Sequence, residues 1–138
     1  MPDTGILLAL DVGDVRIGVA IAMPPIYIAR PLTTILHDDT VIAQISQLIA
    51  EHDVRKLVIG LPRGLDGQET GQTAKVQSFA AALQAKLQVS YSFQDEAATS
   101  VKAEAELNSR GKQYQKADVD ALAATYILED YITEEMHV

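Results

Sequence analysis

Three carboxylates far apart in the chain, Asp11, Glu96 and Asp120, are the side chains whose placement could do chemistry. Asp11 follows an apolar run, Ile6 to Leu10, that reads as a strand buried on both faces. Gly13 permits a tight turn, and a second apolar run, Ile17 to Ala22, returns beside the first. A charge at the end of a central strand is expensive to bury unless it is paired or holds a metal. Glu96 stands just past a strand in which Val89, Tyr91 and Phe93 alternate with polar residues. Asp120 falls in the first turn of a helix starting near Asp118 that buries Val119, Leu122, Ala123, Tyr126 and Ile127.

Ligands gather at the carboxyl ends of strands in open α/β sheets, and two of the three acids sit at such ends. Carboxylates that converge raise one another's pKa values or bind hard cations. A pair of magnesium or manganese ions ~3.5–4 Å apart stabilises both the attacking and the leaving oxygen in phosphodiester cleavage. Acids without a nucleophilic Ser–His or Cys–His pair suit metal-dependent hydrolysis better than acyl transfer. Each acid also has a plainer role. Asp11 could cap the turn before Arg16, Asp95 and Glu96 could open the helix that follows them, and Asp118 or Asp120 could be an N-cap. Helical geometry does not choose between Asp118 and Asp120, since both flank the apolar face.

A second candidate is the segment Leu61-Pro62-Arg63-Gly64-Leu65-Asp66-Gly67, which its proline and glycines exclude from regular structure. Gly60, Gly64 and Gly67 would let backbone approach a phosphate, Arg63 supplies a cationic donor, and Lys75 lies early in the next helix. Neither a Walker loop nor a dinucleotide fingerprint is present. The plainer alternative is a surface turn.

The elements that must position these residues follow from the apolar pattern. After the first hairpin, Tyr27 to Ile35 forms a third strand, interrupted at Pro31 and so placed at an edge. Val41, Ile42, Ile45, Leu48 and Ile49 repeat at helical spacing, with Thr40 as N-cap. Lys56 to Gly60 is a short buried strand, and a helix with Val76, Phe79, Ala80, Leu83 and Leu87 on one face follows the loop. From Ala97 to about Arg110 the composition is helical, and Gly111-Lys112-Gln113 breaks it. The chain reads as a single α/β domain, residues 1–138, with a mixed sheet: an antiparallel meander of three strands, then parallel strands joined through right-handed crossovers.

Composition narrows the function. Hydrophobic residues make up 48% and charged residues 22%, as in ordinary globular proteins. No apolar run approaches the ~18–20 residues needed to span a bilayer, and no signal pattern opens the chain, so a cytoplasmic protein without a membrane partner is expected. The absence of cysteine excludes disulfides and thiolate zinc sites. His37, His52 and His137 lack ligand-like spacing and read as solvent-facing. A net charge of −8 argues against a protein that coats nucleic acid, but not against a cation-filled acidic site with a local basic rim.

Five blocks in order resemble one family: Leu10-Asp11-Val12-Gly13 with Arg16-Ile17-Gly18-Val19-Ala20; Gly60-Leu61-Pro62 with Asp66-Gly67; Asp95-Glu96 followed by Thr99-Ser100; Lys116 with Val119-Asp120; and Ala123-Ala124 with Ile127-Leu128. They look like the YqgF/RuvX family, ribonuclease H-like proteins described as pre-16S rRNA nucleases and formerly as Holliday junction resolvases. The resemblance runs from about Gly5 to Tyr131. It implies a five-stranded ribonuclease H-like sheet flanked by helices, and a magnesium- or manganese-dependent cut in structured RNA within the cytoplasm. The expected substrate is a ribosomal RNA precursor, processed at its 5′ end, and precursor particles of the ribosome are a further expected partner.

By position, the resemblance makes Asp11, Glu96 and Asp120 the catalytic metal ligands and selects Asp120 over Asp118. It turns Arg16, Gly60, Arg63, Gly67 and Lys75 toward the nucleic acid. A junction-specific DNA endonuclease on the same carboxylates is the alternative enzyme, and a noncatalytic nucleic-acid- or ribosome-binding module is the alternative of another class. Five residues at three places depart from the family pattern. Ala97 and Ala98 stand where an arginine and a leucine are usual, Asp14-Val15 where a basic or small polar pair is usual, and Met23 where an aspartate is frequent. A missing guanidinium and an added carboxylate should weaken phosphate binding.

Overall fold

The computed structural model describes residues 5–64, 66–96, 105–106, 108–109 and 116–136. Its elements are β1 (Ile6–Val12), β2 (Arg16–Ala22), β3 (Arg30–Leu36), α1 (Val41–His52), β4 (Val54–Pro62), α2 (Gly71–Leu87), β5 (Ser90–Glu96) and α3 (Lys116–Tyr131), which widens into a π-helical turn over Ile132–Met136. The five strands make one sheet in the order β3-β2-β1-β4-β5. The pairs β1–β2 and β2–β3 are antiparallel, whereas β1–β4 and β4–β5 are parallel. This is the mixed sheet read from the sequence.

Helices cover both faces, so the central strands are apolar on both sides. Leu8, Leu10 and Val12 of β1 point into a core with Val41 and Ile45 of α1 and Val76, Ala80 and Leu83 of α2. Leu7 and Ala9, of opposite parity, meet Ala124, Ile127 and Leu128 of α3. The α3 face of the sheet is built from small residues, including Ala9, Ala20 and Ala22. Gly18 is the tightest point: a Cβ there would lie 1.9 Å from the Asp120 carbonyl oxygen. Only a residue without a side chain lets the helix backbone settle that close to β2.

Several boundaries differ from the sequence reading. β4 runs on through Leu61 and Pro62, which pair with Asp95 and Glu96. A proline is tolerated as the last residue of a strand, where the ladder no longer needs its missing N–H. Glu96 is therefore the last residue of β5 and not the first beyond it. Tyr27 lies outside β3, at φ 59°, with its ring in the α3-side core and its hydroxyl donating to the Gly5 carbonyl at 3.0 Å. Pro31 does sit in the edge strand, opposite Ala20, where the β2–β3 register shifts.

Thr40 occupies the N-cap position of α1 without a capping side-chain bond. Its N–H and hydroxyl both donate to Asp38 Oδ1, at 2.9 and 2.6 Å. The capping box lies instead at α2, between Thr70 and Thr73. α3 starts two residues before Asp118, so neither Asp118 nor Asp120 is its N-cap, and Asp120 lies beyond the first turn. Tyr126 is half-exposed rather than buried, its hydroxyl donating to the Glu106 carboxylate. Residues 105–106 and 108–109 are helical. The rest of the helix expected over Ala97–Arg110, the break at Gly111-Lys112-Gln113, Thr99-Ser100 and the Ala97-Ala98 departure lie outside the described residues.

Candidate active site

The parallel strands β1, β4 and β5 end on the same edge of the sheet, and that edge carries the acids. Asp11, like Leu7 and Ala9, points to the α3 face, and its ladder partner on β2 is Gly18. Because α3 rests its backbone on Gly18 at Asp120, the helix delivers the Asp120 carboxylate beside Asp11. Glu96 comes from the far side of β4. The register pairs Leu10 with Ile59 and Gln94 with Gly60, so Gly60 is the residue of β4 that lies between Asp11 and the end of β5. A Cβ at Gly60 would stand 3.1 Å from Glu96 Oε2 and 2.5 Å from Ile127 Cδ1. Glu96 thus reaches back across β4 through the space that the missing side chain leaves, and its carboxyl hydrogen-bonds that of Asp11.

Burial, then the charge of Glu96 and the hydrogen bond to it, then the charge of Asp120, push the Asp11 carboxyl up to about 8. The physical content is that Asp11 keeps its proton at neutral pH and donates it to Glu96. Asp120 is half-buried and accepts from Arg16 Nε through Oδ2 at 2.7 Å, closing a contact between residues 104 apart in sequence. As donors, three carboxylates suit a hard divalent cation, which would have to displace the Asp11 proton. Among the described residues no three His, Asp or Glu side chains form, as placed, a group that could hold a metal ion. With Oδ2 on Arg16, Asp120 would have to be shared with that guanidinium or released by it.

Comparison with known proteins adds the family. Residues 5–134 match the family model RuvX, described as Holliday junction resolvase. A "Putative pre-16S rRNA nuclease" of Chloroflexus aggregans is 45% identical over 130 residues, spanning 91% of this chain and 92% of the relative. One of the same name from Synechocystis is 40% identical over 129 residues, spanning 91% and 85%. The chain belongs to the RuvX family. It is therefore a nuclease, a hydrolase of phosphodiester bonds. RuvC of Thermus thermophilus in complex with a Holliday junction substrate superposes with a TM-score of 0.59 at 12% identity, covering 94% of this chain and 95% of that one. That likeness shows the ribonuclease H-like fold.

In this RuvX member the residues expected to face nucleic acid fall into two groups. Gly60 is buried within β4, and the expectation that it fronts a phosphate is corrected. Its face is filled by Ile127 and the Glu96 carboxylate, and its role is to open the path between the acids. Arg16, Arg63, Gly67 and Lys75 each keep part of their surface exposed. Gly67 is exposed at φ 81° in a turn closed by Gly67 N–H to Gly64 O at 2.9 Å and Gly64 N–H to Gln68 O at 2.8 Å. Each rim cation already faces an acid of its own chain. Arg63 reaches Asp95 at 3.3 Å and Glu69 at 3.6 Å, and Lys75 reaches Asp14 at 3.7 Å.

Two residues of the site were not legible as such in the sequence. His37, read as solvent-facing, is half-buried and donates from Nδ1 to the Gly13 carbonyl at 2.6 Å. Its backbone N–H donates to Val15 O at 2.9 Å, so the end of β3 clamps the turn that follows Asp11. Thr73 is fully buried and donates its hydroxyl to the Pro62 carbonyl at 2.5 Å, tying the start of α2 to the end of β4. The Thr70-x-x-Thr73 spacing was a signal for the cap, though not for this tie.

Among the described residues no helix is long and apolar enough to cross a membrane.

Proposed function

We propose that the chain cuts the backbone of structured RNA, most plainly a ribosomal RNA precursor at its 5′ end, by divalent-cation-assisted hydrolysis at Asp11, Glu96 and Asp120. The observation that carries this reading is the Asp11–Glu96 carboxyl contact with Asp120 beside it, at the carboxyl edge of the sheet. The relatives' name points to the substrate. Asp11, Glu96 and Asp120 would hold magnesium or manganese, whose chemistry is to activate a water and to neutralise charge on the attacking and leaving oxygens.

The chain's own residues do the rest. Asp11 carries a proton that must leave before its carboxylate can act as a ligand. Arg16 fixes the orientation of Asp120 through Nε. Arg63 and Lys75 offer cations to the flanking phosphates once their acids yield them, and Gly67 lets the loop backbone lie near the strand.

The test is Asp11→Asn, assayed with Mg2+ or Mn2+ on a pre-16S rRNA fragment. Cleavage falls by at least ~10³-fold while the fold persists. A variant that cleaves like the parent removes Asp11 from the chemistry. The family description favours a second substrate, the four-way DNA junction, so both substrates are assayed side by side. Neglect of both by a protein that still binds them would leave a noncatalytic nucleic-acid or ribosome-associated module. Cleavage of a precursor particle but not of naked RNA would identify the particle as the partner.

A further inference from the structure

Across the sheet edge from the acids, on the face covered by α2, a cleft of about 440 Å3 opens between the β1–β2 turn and the first turns of α2. Its apolar wall is Val12, Val76 and Phe79, and His37, Lys75 and Asp14 stand at its polar side. The His37 and Phe79 rings meet edge to face, with centroids 5.0 Å apart at 61°. The Nδ1 bond to Gly13 holds the imidazole in place, so this aromatic wall is fixed before anything enters. Lys75 and Asp14 face each other over 3.7 Å, both about two-thirds exposed (66% and 65%). An ion pair that long and that wet adds little stability, and a phosphate competes for the lysine on favourable terms.

We propose that this cleft is a subsite for one unpaired nucleotide of the substrate strand, its base against His37 and Phe79 and its phosphate on Lys75 in place of Asp14. The inference rests on the nuclease reading above and adds to it where the neighbouring nucleotide goes. Four observations carry it. The volume falls in the range of small-molecule sites, a few hundred cubic ångströms. A rigid aromatic wall suits a base, because every base has a π-face and stacking tolerates sequence. The cation at the mouth has the sign a phosphate needs. Finally, Val12 and Gly13, which line the cleft, follow Asp11 directly in the chain, so the cleft opens next to the end of the strand that carries Asp11.

A consequence is that duplex nucleic acid, with its bases stacked, cannot fill the cleft, and cleavage favours sites beside an unpaired nucleotide. Asp14 is then a specificity residue that screens Lys75 until a phosphate arrives.

The experiment uses the full chain in EDTA, so that nothing is cut. The probes are a single-stranded RNA with an internal 2-aminopurine, the same RNA annealed to its complement, and inorganic phosphate. The single strand quenches 2-aminopurine and shifts the amide resonances of Gly13, His37 and Phe79, whereas the duplex does neither and phosphate moves only those near Lys75. His37→Gln and Phe79→Leu each weaken single-strand binding about ten-fold, and Asp14→Asn tightens it a few-fold. Thermal melts show that each variant is folded, and His37→Gln, at a half-buried position, keeps the test open should Phe79→Leu unfold. Unchanged affinity in both aromatic variants, or shifts confined to Arg16 and Arg63 while the cleft stays still, overturns the subsite and leaves the nuclease reading standing. Failure of any nucleic acid to bind, in EDTA and again with Ca2+ in its place, overturns both.

Discussion

Replacing Asp11 by asparagine should make the protein more stable at neutral pH while removing its activity. Burial and the two neighbouring carboxylates raise Asp11 to about 8, against 3.8 for the free side chain. Between about pH 4 and pH 8 the folded chain therefore holds a proton that the unfolded chain has released. The sign follows: this contribution to stability is present below the unfolded value and is lost as pH rises toward 8. At pH 7 the gap from 3.8 spans about three units, or about 4 kcal/mol if fully expressed, and relaxation with water entry lowers it to about 2 kcal/mol. Asparagine is neutral at every pH and its amide still donates to Glu96, so Asp11→Asn keeps the bond and loses the penalty. For a domain of this size 2 kcal/mol is about 6 °C in melting temperature. Melts in EDTA should show the variant about 6 °C above the parent at pH 7.5 and nearly level with it at pH 4. Adding Mn2+ should raise the parent and leave the variant unmoved, since only the parent gains a ligand-linked term. A variant less stable than the parent, by a margin that does not depend on pH, would show that Asp11 is not the buried, proton-holding member of an acid pair.

Other substitutions probe the frame that brings the acids together. Gly18→Ala places a carbon 1.9 Å from the backbone oxygen of Asp120, which cannot rotate away. A loss of about 3 kcal/mol or more in urea unfolding is expected, and a near-neutral result would mean that α3 does not pack there. Gly60→Ala meets first the end of Ile127 and the Glu96 carboxylate, both side-chain atoms. It should cost about 1–2 kcal/mol, yet weaken Mn2+ binding by calorimetry about ten-fold, because Glu96 loses its path across β4; unaltered metal affinity would refute that path. Thr73→Val removes the capping box and leaves the Pro62 carbonyl unpaired, and about 2 kcal/mol of stability should go with it by thermal melt.

Much of the architecture follows from local pattern. β1 reads as central because it is apolar at both parities, and β3 as an edge because Pro31 cannot complete a ladder on both sides. The helices α1 and α2 follow from apolar spacing alone. The boundaries that shifted, at Pro62 and Tyr27, are places where a partner strand or a core contact decides and the residue's own preference does not. Asp11 was legible as a site because a carboxylate is costly to bury at the end of a central strand, even one that could cap the turn before Arg16. Glu96 and Asp120 were legible only as candidates, since an acid near a helix start is just as well explained by the helix itself.

The sequence by itself determined which residue types are available: oxygen donors without thiols, a strand ending in an acid, and cations too few to offset a charge of −8. Tertiary structure alone decided their relations. Gly18 and Gly60 look like any glycines in a string, and their meaning lies in α3 and in the Glu96 carboxylate pressed against them from elsewhere in the chain. The pairing of each rim cation with an acid, the clamp of His37 on Gly13 and the hydrogen bond between the Asp11 and Glu96 carboxyls are likewise contacts across long sequence separations. Periodicity reports which face a residue takes. Proximity between faces is set by strand register and by how closely a helix can approach, and neither is written in any one segment.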